Sequence, residues 1–371
     1  MVVFISQQVS SRQSTKSILC TRPNAKYGTG HCLRSTKLEI EMIETVFVES
    51  QIIDHPITER VLSCLPKADL LNINRYQELF NKRQQNFRLQ KEKPALILAK
   101  KHDNFVLPAP SGFGMDSQKN FYFSHMYNCI YDCRYCFLQG MYSSANYLLF
   151  VNFEDFFRSI SETIQNNAGS SLTFFSGYDC DSLAFEKITS FAQHTLSFFK
   201  EHPEVEFELR TKSVNIETLL NLEPISNCVV AFSLSPESVA DVLDKKAPRV
   251  NRRIRAIKKL AKSGWLVGLR LDPLIFCENW RGLYSGLIEE IMADLEITNL
   301  HSVSFGPLRY PKKMYNTIAA LYPEEKLFAF PMQTTGQLVS YGPEIENEMA
   351  TYIQDELKKY LGADRIFQCL I

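Results

Sequence analysis

An alternation of strand-like and helix-like segments between residues 146 and 321 constrains the fold of this 371-residue chain more than any other feature. The predicted strands are Asn146–Asn152, Ser171–Ser176, Val205–Thr211, Cys228–Leu234, Trp265–Leu271 and Val303–Gly306. The predicted helices are Phe153–Asn166, Phe185–Glu201, Ile216–Asn221, Arg252–Ser263, Trp280–Leu295 and Pro311–Leu321. Repeated strand–helix pairs predict parallel strands with helices outside them. About six pairs favour an α/β fold built as a partial (β/α)6 TIM-like barrel, with its chemistry at the carboxyl ends of the strands.

The rest of the chain is predicted to divide around this barrel. Residues 1–37 contain six Lys or Arg and no acidic residue. Residues 1–41 are therefore expected to be a disordered extension, or to lie before the true start at Met42, with an organellar transit peptide as an alternative. Residues 42–120 are expected to form an N-terminal α/β segment, with a helix over Asn74–Lys91, and residues 121–310 the barrel. Residues 311–371 are expected to form a C-terminal helical and hairpin segment that covers the barrel, with a closing helix over Glu346–Leu361.

Composition favours a soluble globular protein of the cytoplasm. The chain has 41 basic and 41 acidic residues and 45% hydrophobic residues, and its apolar runs are too short for a transmembrane helix. Ten cysteines are present, and apart from one cluster they lack paired spacing. That usage indicates a reducing compartment and not a disulfide framework.

The clustered cysteines are Cys129, Cys133 and Cys136, in the segment CIYDCRYCFLQG. A structural zinc site usually has four ligands, and His125 is a candidate for the fourth; three unrelated buried thiols are a further alternative. The interpretation that accounts best for three ligands is a four-iron cluster in which the three cysteines each bind one iron. Its fourth iron is then open to S-adenosylmethionine, which chelates through its amino and carboxylate groups, and reduction yields a 5′-deoxyadenosyl radical.

The spacing CxxxCxxC, with the aromatic Tyr135 before the last cysteine, resembles the radical SAM superfamily. Within it, the chain resembles the spore photoproduct lyase family from about Met42 to the C-terminus. The likeness is clearest in CRYCFLQ, in LRTK (Leu209–Lys212), and from Ala231–Ser233 through AKSGW to Trp280. It implies a barrel that repairs a pyrimidine (thymine) photoproduct in DNA by abstracting hydrogen from the lesion, without flavin or light.

The resemblance also implies roles for individual residues. The three clustered cysteines match the ligands of a [4Fe–4S] cluster. Lys212 and Ser233 match positions that hold S-adenosylmethionine, and Cys180 falls where a third contact, a serine, is usual. Arg309 matches an arginine beside the substrate, across a two-residue gap. On residues alone, a solvated strand-end charge and a core hydroxyl are the alternatives for Lys212 and Ser233.

Three departures from the family pattern affect the substrate side. The position of the family's hydrogen-donating cysteine holds Tyr178, while Cys180 lies two residues on and would face the same side of an extended strand; either residue is a candidate donor. The family passes a hydrogen atom through a Tyr-Cys-Tyr stretch, but here Tyr135 and Cys136 are followed by Phe137. The family's basic C-terminal hairpin corresponds to Leu327–Pro343, which contains no charged residue.

These departures leave three hypotheses for function. The first is repair of a pyrimidine photoproduct, with damaged DNA and a flavodoxin- or ferredoxin-type reductant as partners and no membrane. The second keeps the radical but changes the substrate to RNA, a peptide or a small molecule. The third is a non-catalytic iron–sulfur electron carrier or sensor.

Two basic stretches, Asn81–Lys91 and Lys245–Lys262, are either phosphate-binding faces or ordinary solvated surfaces. Asp272 either accepts a hydrogen bond from the adenosine or the substrate at the barrel mouth or begins a turn.

Overall fold

The structure of the chain is a computed structural model that describes residues 43–110 and 117–369, so the predicted extension over residues 1–41 lies outside the described residues. The strands are β1 (Thr45–Glu49), β2 (Asp69–Ile73), β3 (Leu96–Ala99), β4 (Leu107–Pro108), β5 (Lys119–Tyr122), β6 (Met126–Tyr127), β7 (Asp132–Cys133), β8 (Tyr147–Phe150), β9 (Leu172–Ser176), β10 (Glu206–Thr211), β11 (Cys228–Ser233), β12 (Asp244–Lys245), β13 (Leu266–Leu274), β14 (Leu300–Pro307), β15 (Arg309–Pro311), β16 (Gln333–Thr335), β17 (Leu338–Ser340) and β18 (Ile366–Gln368).

The helices are α1 (Pro56–Cys64), α2 (Phe87–Glu92), α3 (Leu138–Met141), α4 (Phe153–Asn166), α5 (Glu186–Thr189), α6 (Phe191–Lys200), α7 (Glu217–Leu220), α8 (Glu237–Leu243), α9 (Val250–Lys262), α10 (Trp280–Met292), α11 (Lys312–Leu321) and α12 (Pro343–Lys358). None of the described helices is both long enough and apolar enough to cross a bilayer.

The larger sheet confirms the predicted partial barrel. Its eight strands run in the order β18-β14-β13-β11-β10-β9-β5-β4, and every neighbouring pair from β18 to β5 is parallel. Central strands such as β9 are buried at every position. Strands that are covered on both faces read as continuous apolar runs, which is why the sequence pattern was visible here.

The prediction was wrong about the first barrel strand. The apolar run that it placed over Asn146–Asn152 forms β8, which pairs in parallel with β3 and belongs to a five-stranded sheet ordered β2-β1-β3-β8-β6. The strand that opens the barrel is instead β5, parallel to β9. Its sequence, KNFY, is short and partly exposed, so hydrophobic periodicity gives it little signal.

Two predicted helices also differ from the structure. The segment Phe185–Glu201 is broken into α5 and α6 at Ser190, whose φ is +52°. The segment Asn74–Lys91 contains a short 3-10 turn and α2 in place of one helix, because Asn81 and Gln84 both have positive φ values, 59° and 63°. A residue in the left-handed conformation ends a helix. None of these three positions is glycine, the residue that usually marks such a conformation in a sequence.

The C-terminal region contains the predicted helix and hairpin. Strands β15, β17 and β16 form a three-stranded antiparallel sheet, and α12 follows it. The chain then returns to the barrel, where β18 pairs in parallel with β14. That last strand was not predicted. The proposed domain boundaries at residues 120 and 310 stay predictions.

Candidate active site

A cavity of about 530 Å³ lies at the carboxyl ends of the barrel strands. Its volume is within the usual range for a small-molecule or cofactor site. Every site residue predicted from the sequence lines it: Cys129, Cys133, Tyr135, Cys136, Tyr178, Cys180, Lys212, Ser233 and Arg309. Residues that are far apart in sequence therefore meet in one place, as the barrel architecture requires.

The cysteine loop is held in shape by main-chain contacts at both ends. Asn128, at φ +67°, donates from Nδ2 to the carbonyls of Ser144 and Asn146, at 2.7 Å each. Cys133 lies in β7, which pairs antiparallel with β12 from a distant part of the barrel. The Cys136 amide donates to the Cys133 carbonyl at 3.0 Å and closes a turn between those two cysteines.

The buried side chain of Gln139, which was not predicted from the sequence, also holds the cysteine loop. Gln139 Nε2 donates to the Cys133 carbonyl at 3.2 Å and to Asp132 Oδ1 at 2.8 Å. The Tyr322 hydroxyl donates to Gln139 Oε1 at 3.0 Å. A glutamine that is fixed at both ends of its amide holds the position of the cysteine backbone.

The three cysteines fit an iron–sulfur cluster in their chemistry. Burial raises the pKa of the Cys129, Cys133 and Cys136 thiols, so thiolates here need a cationic group beside them. Among the described residues, no three His, Cys, Asp or Glu side chains converge on a single metal ion. A four-iron cluster binds each thiolate at a different iron, so its ligands need not converge. The buried Tyr310 hydroxyl, on the same cavity, has no hydrogen-bond partner among the described residues.

A buried charge network lies behind the cysteine loop. The Tyr135 hydroxyl donates to Asp244 Oδ1, and Arg253 Nη1 donates to Asp244 Oδ2 at 2.7 Å. Burial alone would raise the pKa of Asp244, but the charges of Lys212 and Arg253 hold it below its usual value. Lys212 Nζ lies 5.3 Å from the centroid of the Tyr135 ring. The carboxylate therefore keeps Tyr135 and Lys212 close to the cysteines.

Asp181 fixes the main chain that carries Lys212. Its carboxylate accepts from the Lys212 amide at 2.6 Å, from Thr211 Oγ1 at 2.7 Å and from the Leu183 amide at 3.0 Å. The sequence contained a signal for it, because acidic residues flank Cys180 directly after a buried strand. Asp244 had no comparable local signal.

The loop after β9 corrects one sequence-based argument. Tyr178 and Cys180 were expected on the same side of an extended strand, but β9 ends at Ser176 and Gly177 has φ +88°. A Cβ at Gly177 would lie 2.7 Å from Ser182 Oγ, so the tight turn needs glycine. After this turn the two side chains diverge. Tyr178 stacks on Tyr122 with ring centroids 4.8 Å apart, whereas Cys180 Sγ lies 4.0 Å from His125 Nδ1.

His125, the candidate fourth zinc ligand, contacts Cys180 and Phe191. Its ring stacks on Phe191 with centroids 3.5 Å apart and planes 8° apart. Burial lowers the pKa of His125 to about 3, with a smaller contribution from the Lys101 charge, so the imidazole is neutral. The neutral ring therefore packs on Phe191 and lies 4.0 Å from the Cys180 thiol.

Ser233 and Arg309 lie at two further strand ends. The Ser233 carbonyl accepts from Arg253 Nη1 at 3.2 Å, which fixes the end of β11. Arg309 binds Asp272 through two contacts, Nη1–Oδ1 at 3.1 Å and Nη2–Oδ2 at 3.3 Å. Asp272 is therefore a hydrogen-bond acceptor within β13, and it positions Arg309 at the cavity.

The floor of the cavity is backed by a buried ion-pair network that joins β10 to β13 across the intervening strand β11. Glu208 on β10 accepts from Arg210 Nε at 2.9 Å and from Arg270 Nη2 at 2.6 Å. Burial alone would raise the pKa of Glu208, but the charges of Arg270 and Arg210 lower it to about 2. A fully paired carboxylate makes this floor rigid and leaves Arg210 facing the cavity.

The uncharged segment Leu327–Pro343 packs through aromatic side chains. Phe330 contacts Tyr341 and Phe276 with ring centroids 5.4 and 5.5 Å apart. The Tyr341 hydroxyl accepts a hydrogen bond from the Phe276 amide at 3.1 Å. Leu338 of this segment lines the cavity. The segment therefore supplies an apolar part of the cavity wall.

The family described as spore photoproduct lyase matches residues 42–361. The chain belongs to the spore photoproduct lyase family. This match spans the barrel, the cysteine loop and most of the C-terminal segment.

Curated spore photoproduct lyases are similar over part of their length. The protein of Bacillus subtilis (strain 168) is 24% identical and that of Geobacillus sp. (strain Y412MC61) 23% identical, each over 202 residues. In each case the match covers 54% of this chain and 59% of the relative. The chain thus spans about three fifths of the length of the curated relatives that it matches.

Solved structures of spore photoproduct lyase share the fold. A variant with bound S-adenosylmethionine and dinucleoside spore photoproduct has a TM-score of 0.76 at 16% identity, covering 89% of this chain and 98% of that one. A structure complexed with dinucleoside spore photoproduct has a TM-score of 0.75 at 15% identity, covering 88% and 98%. At these identities the likeness shows a common partial barrel.

Proposed function

We propose that this protein is a radical SAM enzyme that repairs a thymine photoproduct in DNA by the chemistry of its family. The observation that carries the proposal is one cavity that joins the three clustered cysteines to Lys212, Ser233 and Arg309. A [4Fe–4S] cluster with S-adenosylmethionine on its open iron supplies, when reduced, a 5′-deoxyadenosyl radical.

On this proposal, each wall of the cavity has its own task. Cys129, Cys133 and Cys136 hold the cluster. Lys212 and Ser233, at the ends of β10 and β11, hold S-adenosylmethionine. Asp181 and Asp244 position those groups, because each fixes a strand end or a charged side chain beside the cysteines.

The proposed hydrogen donor to the lesion radical is Cys180. Its thiol is buried on the cavity wall and lies 4.0 Å from Nδ1 of the neutral His125. Transfer breaks the S–H bond, forms a C–H bond on the lesion and leaves a thiyl radical. Tyr178 is committed to stacking on Tyr122, and its hydroxyl is a weaker candidate for the same role. Phe137 stands where the family has the second tyrosine of its Tyr-Cys-Tyr stretch, so the cysteine loop has one hydroxyl fewer for passing a hydrogen atom.

Damaged DNA is the proposed partner, with Arg309 beside its phosphate or lesion. Its pairing with Asp272 leaves a guanidinium presented at the cavity in a fixed orientation. A base in duplex DNA must be extruded to reach a cavity of this kind. An acidic flavodoxin- or ferredoxin-type protein is proposed as the reductant, and the cytoplasm as the site of action.

The apolar segment Leu327–Pro343 favours one alternative. Because it has no charged residue, it offers no phosphate contact of its own. That feature supports a second candidate, the same radical chemistry on a substrate that carries fewer phosphates than duplex DNA, such as a short oligonucleotide or a peptide.

The test is turnover by the anaerobically reconstituted, reduced full chain with S-adenosylmethionine and dinucleoside spore photoproduct. Formation of both 5′-deoxyadenosine and thymidylyl-thymidine supports repair. If 5′-deoxyadenosine forms without repair, the radical chemistry stands and the substrate is wrong. If neither forms although iron and sulfide analysis shows a full cluster, the electron-carrier or sensor hypothesis replaces the proposal.

A further inference from the structure

A second cavity, of about 180 Å³, adjoins the catalytic one and is called the side cavity here. It lies between the barrel and the smaller sheet, and Lys101, Tyr127 and Tyr142 line it. Tyr122, Met141 and Asp179 line both cavities. A substrate in the catalytic cavity can therefore extend one group into the side cavity past these shared residues.

The side cavity contains a buried cation with spare hydrogen-bonding capacity. Lys101 is 6% exposed, and its Nζ donates to the Tyr127 hydroxyl at 3.2 Å. Its Nζ lies 5.1 Å from the ring centroids of Tyr127 and Phe150. Within the described part of the chain no carboxylate pairs with this ammonium closely enough to form an ion pair. Because an ammonium has three N–H donors, two remain for a ligand.

An acceptor lies on the wall that the two cavities share. Asp179 Oδ2 accepts from Ser124 Oγ at 2.5 Å. A carboxylate has about four acceptor sites, so capacity for a ligand N–H remains. The bond from Ser124 restricts the direction in which the carboxylate points.

Aromatic rings supply the faces of the side cavity. The Tyr127 and Tyr142 rings stack with centroids 5.2 Å apart and planes 23° apart, and Phe105 and Phe123 lie on other parts of the wall. Such surfaces bind planar heterocycles by stacking. A cavity of about 150 Å³ is sufficient for one six-membered ring such as benzene, so the side cavity has room for a single ring.

We propose that the side cavity binds one pyrimidine-2,4-dione ring of the substrate, with Lys101 donating to a ring carbonyl and Asp179 accepting from the ring imide N–H. This proposal rests on the proposed function, because a thymine photoproduct carries two pyrimidine rings. One ring would react in the catalytic cavity beside Cys180, and the other would be read in the side cavity.

The pattern selects thymine-like or uracil-like rings over cytosine-like ones. A 2,4-dione offers carbonyl acceptors beside an N–H donor, which complements an ammonium and a carboxylate. A 4-aminopyrimidine has an acceptor at N3 and an amino donor at C4, so Asp179 would face a lone pair and Lys101 a donor. Leaving buried polar groups unpaired in this way produces strong discrimination.

The test is lesion binding by cluster-loaded protein with S-adenosylmethionine and no reductant, measured by anaerobic equilibrium dialysis. The probes are dinucleoside spore photoproduct and two analogues, each methylated at N3 of one pyrimidine ring. In the wild type, methylation of one particular ring is expected to weaken binding about 10-fold or more. Lys101→Met should weaken binding of the parent lesion by a similar factor, whereas the matched control Lys100→Met should not.

Two further variants keep the result interpretable. Asp179→Ala should bind the parent and the N3-methyl analogue alike, because the partner of the imide N–H is gone. Tyr127→Phe, which removes the hydroxyl contact of Lys101 and keeps the ring, should have a smaller effect than Lys101→Met. Lesion-independent cleavage of S-adenosylmethionine by each variant checks that the fold and the cluster are intact.

The outcomes separate the side-cavity proposal from the proposed function. If wild-type protein repairs the lesion but tolerates N3-methylation of both rings, or if Lys101→Met binds as the wild type does, the side-cavity proposal is wrong and repair stands. If wild-type protein neither binds nor repairs the lesion, both proposals are wrong together.

Discussion

Two walls of the catalytic cavity are built in different ways. The first, called the cysteine wall, contains Cys129, Cys133, Cys136 and Lys212. It is held by the pairing of β7 with β12, by Gln139 and by Asp244, whose carboxylate is bonded at both oxygens. The opposite wall consists of the loop from Gly177 to Asp181 and the apolar segment Leu327–Pro343. The first wall keeps the CxxxCxxC spacing of the family pattern and departs from that pattern at Phe137, whereas the second departs from it at Tyr178 and throughout the uncharged segment. On the proposed function, the difference means that radical generation needs a tightly fixed geometry, whereas lesion binding and repair tolerate different side chains.

The largest expected effect tests the cysteine wall. Cys133→Ser should abolish the cluster and all formation of 5′-deoxyadenosine, because Cys133 is buried and a serine hydroxyl does not replace a thiolate on iron. Iron analysis together with chromatography of the reaction measures it. Cys64→Ser, at the end of helix α1, is the matched control and should keep both properties. Full activity of the Cys133 variant would contradict a three-cysteine cluster.

The next prediction concerns the cationic part of the same wall. Lys212→Met should weaken S-adenosylmethionine binding by roughly 10- to 100-fold, as expected for loss of a charged hydrogen bond worth about 1.5–3 kcal/mol. Equilibrium dialysis with cluster-loaded protein measures it, and Lys200→Met on the exposed face of α6 serves as the control. Equal affinities in Lys212→Met and wild-type protein would remove Lys212 from the cofactor site.

The sequence predicted the cysteine wall better than the opposite wall for a physical reason. Cluster ligands must be close in sequence when one loop supplies them, so CxxxCxxC is visible without any fold. Asp244 and Gln139 act through contacts that exist only after folding, with Asp244 more than a hundred positions from Tyr135. The barrel was visible because its buried strands are apolar runs. Its first strand, KNFY, was missed because half-exposed aromatic residues give no periodic signal.

A third prediction concerns the effect of the buried Lys101, in the side cavity, on the free energy of unfolding. Burial lowers the pKa of Lys101 to about 8 from 10.5, so the folded chain binds this proton less tightly than the unfolded chain. The resulting cost is roughly 3 kcal/mol; it is fully present below pH 8 and is lost as the pH rises to 10.5. Lys101→Met should therefore raise the free energy of unfolding at pH 7 by up to about this amount.

Denaturant unfolding of Lys101→Met and wild type at pH 7 and pH 10 measures the difference, which should shrink at the higher pH. A variant that is less stable than the wild type at pH 7 would mean that contacts of the Lys101 ammonium outweigh its burial.

The smallest effect is expected at Tyr178. Tyr178→Phe keeps the ring that stacks on Tyr122 and removes the hydroxyl. If Cys180 is the donor, rates of lesion repair should stay within roughly twofold of wild type. A loss of repair with unchanged 5′-deoxyadenosine would move the donor role to the Tyr178 hydroxyl.

The most direct test of the two-wall account measures 5′-deoxyadenosine and repaired thymidylyl-thymidine in the same reaction, for wild-type protein and Cys180→Ala. The account predicts that both proteins form 5′-deoxyadenosine, because the cysteine wall is unchanged, and that the variant loses repair. If Cys180→Ala repairs the lesion as fast as the wild type, or loses 5′-deoxyadenosine together with repair, the division of tasks between the two walls is wrong.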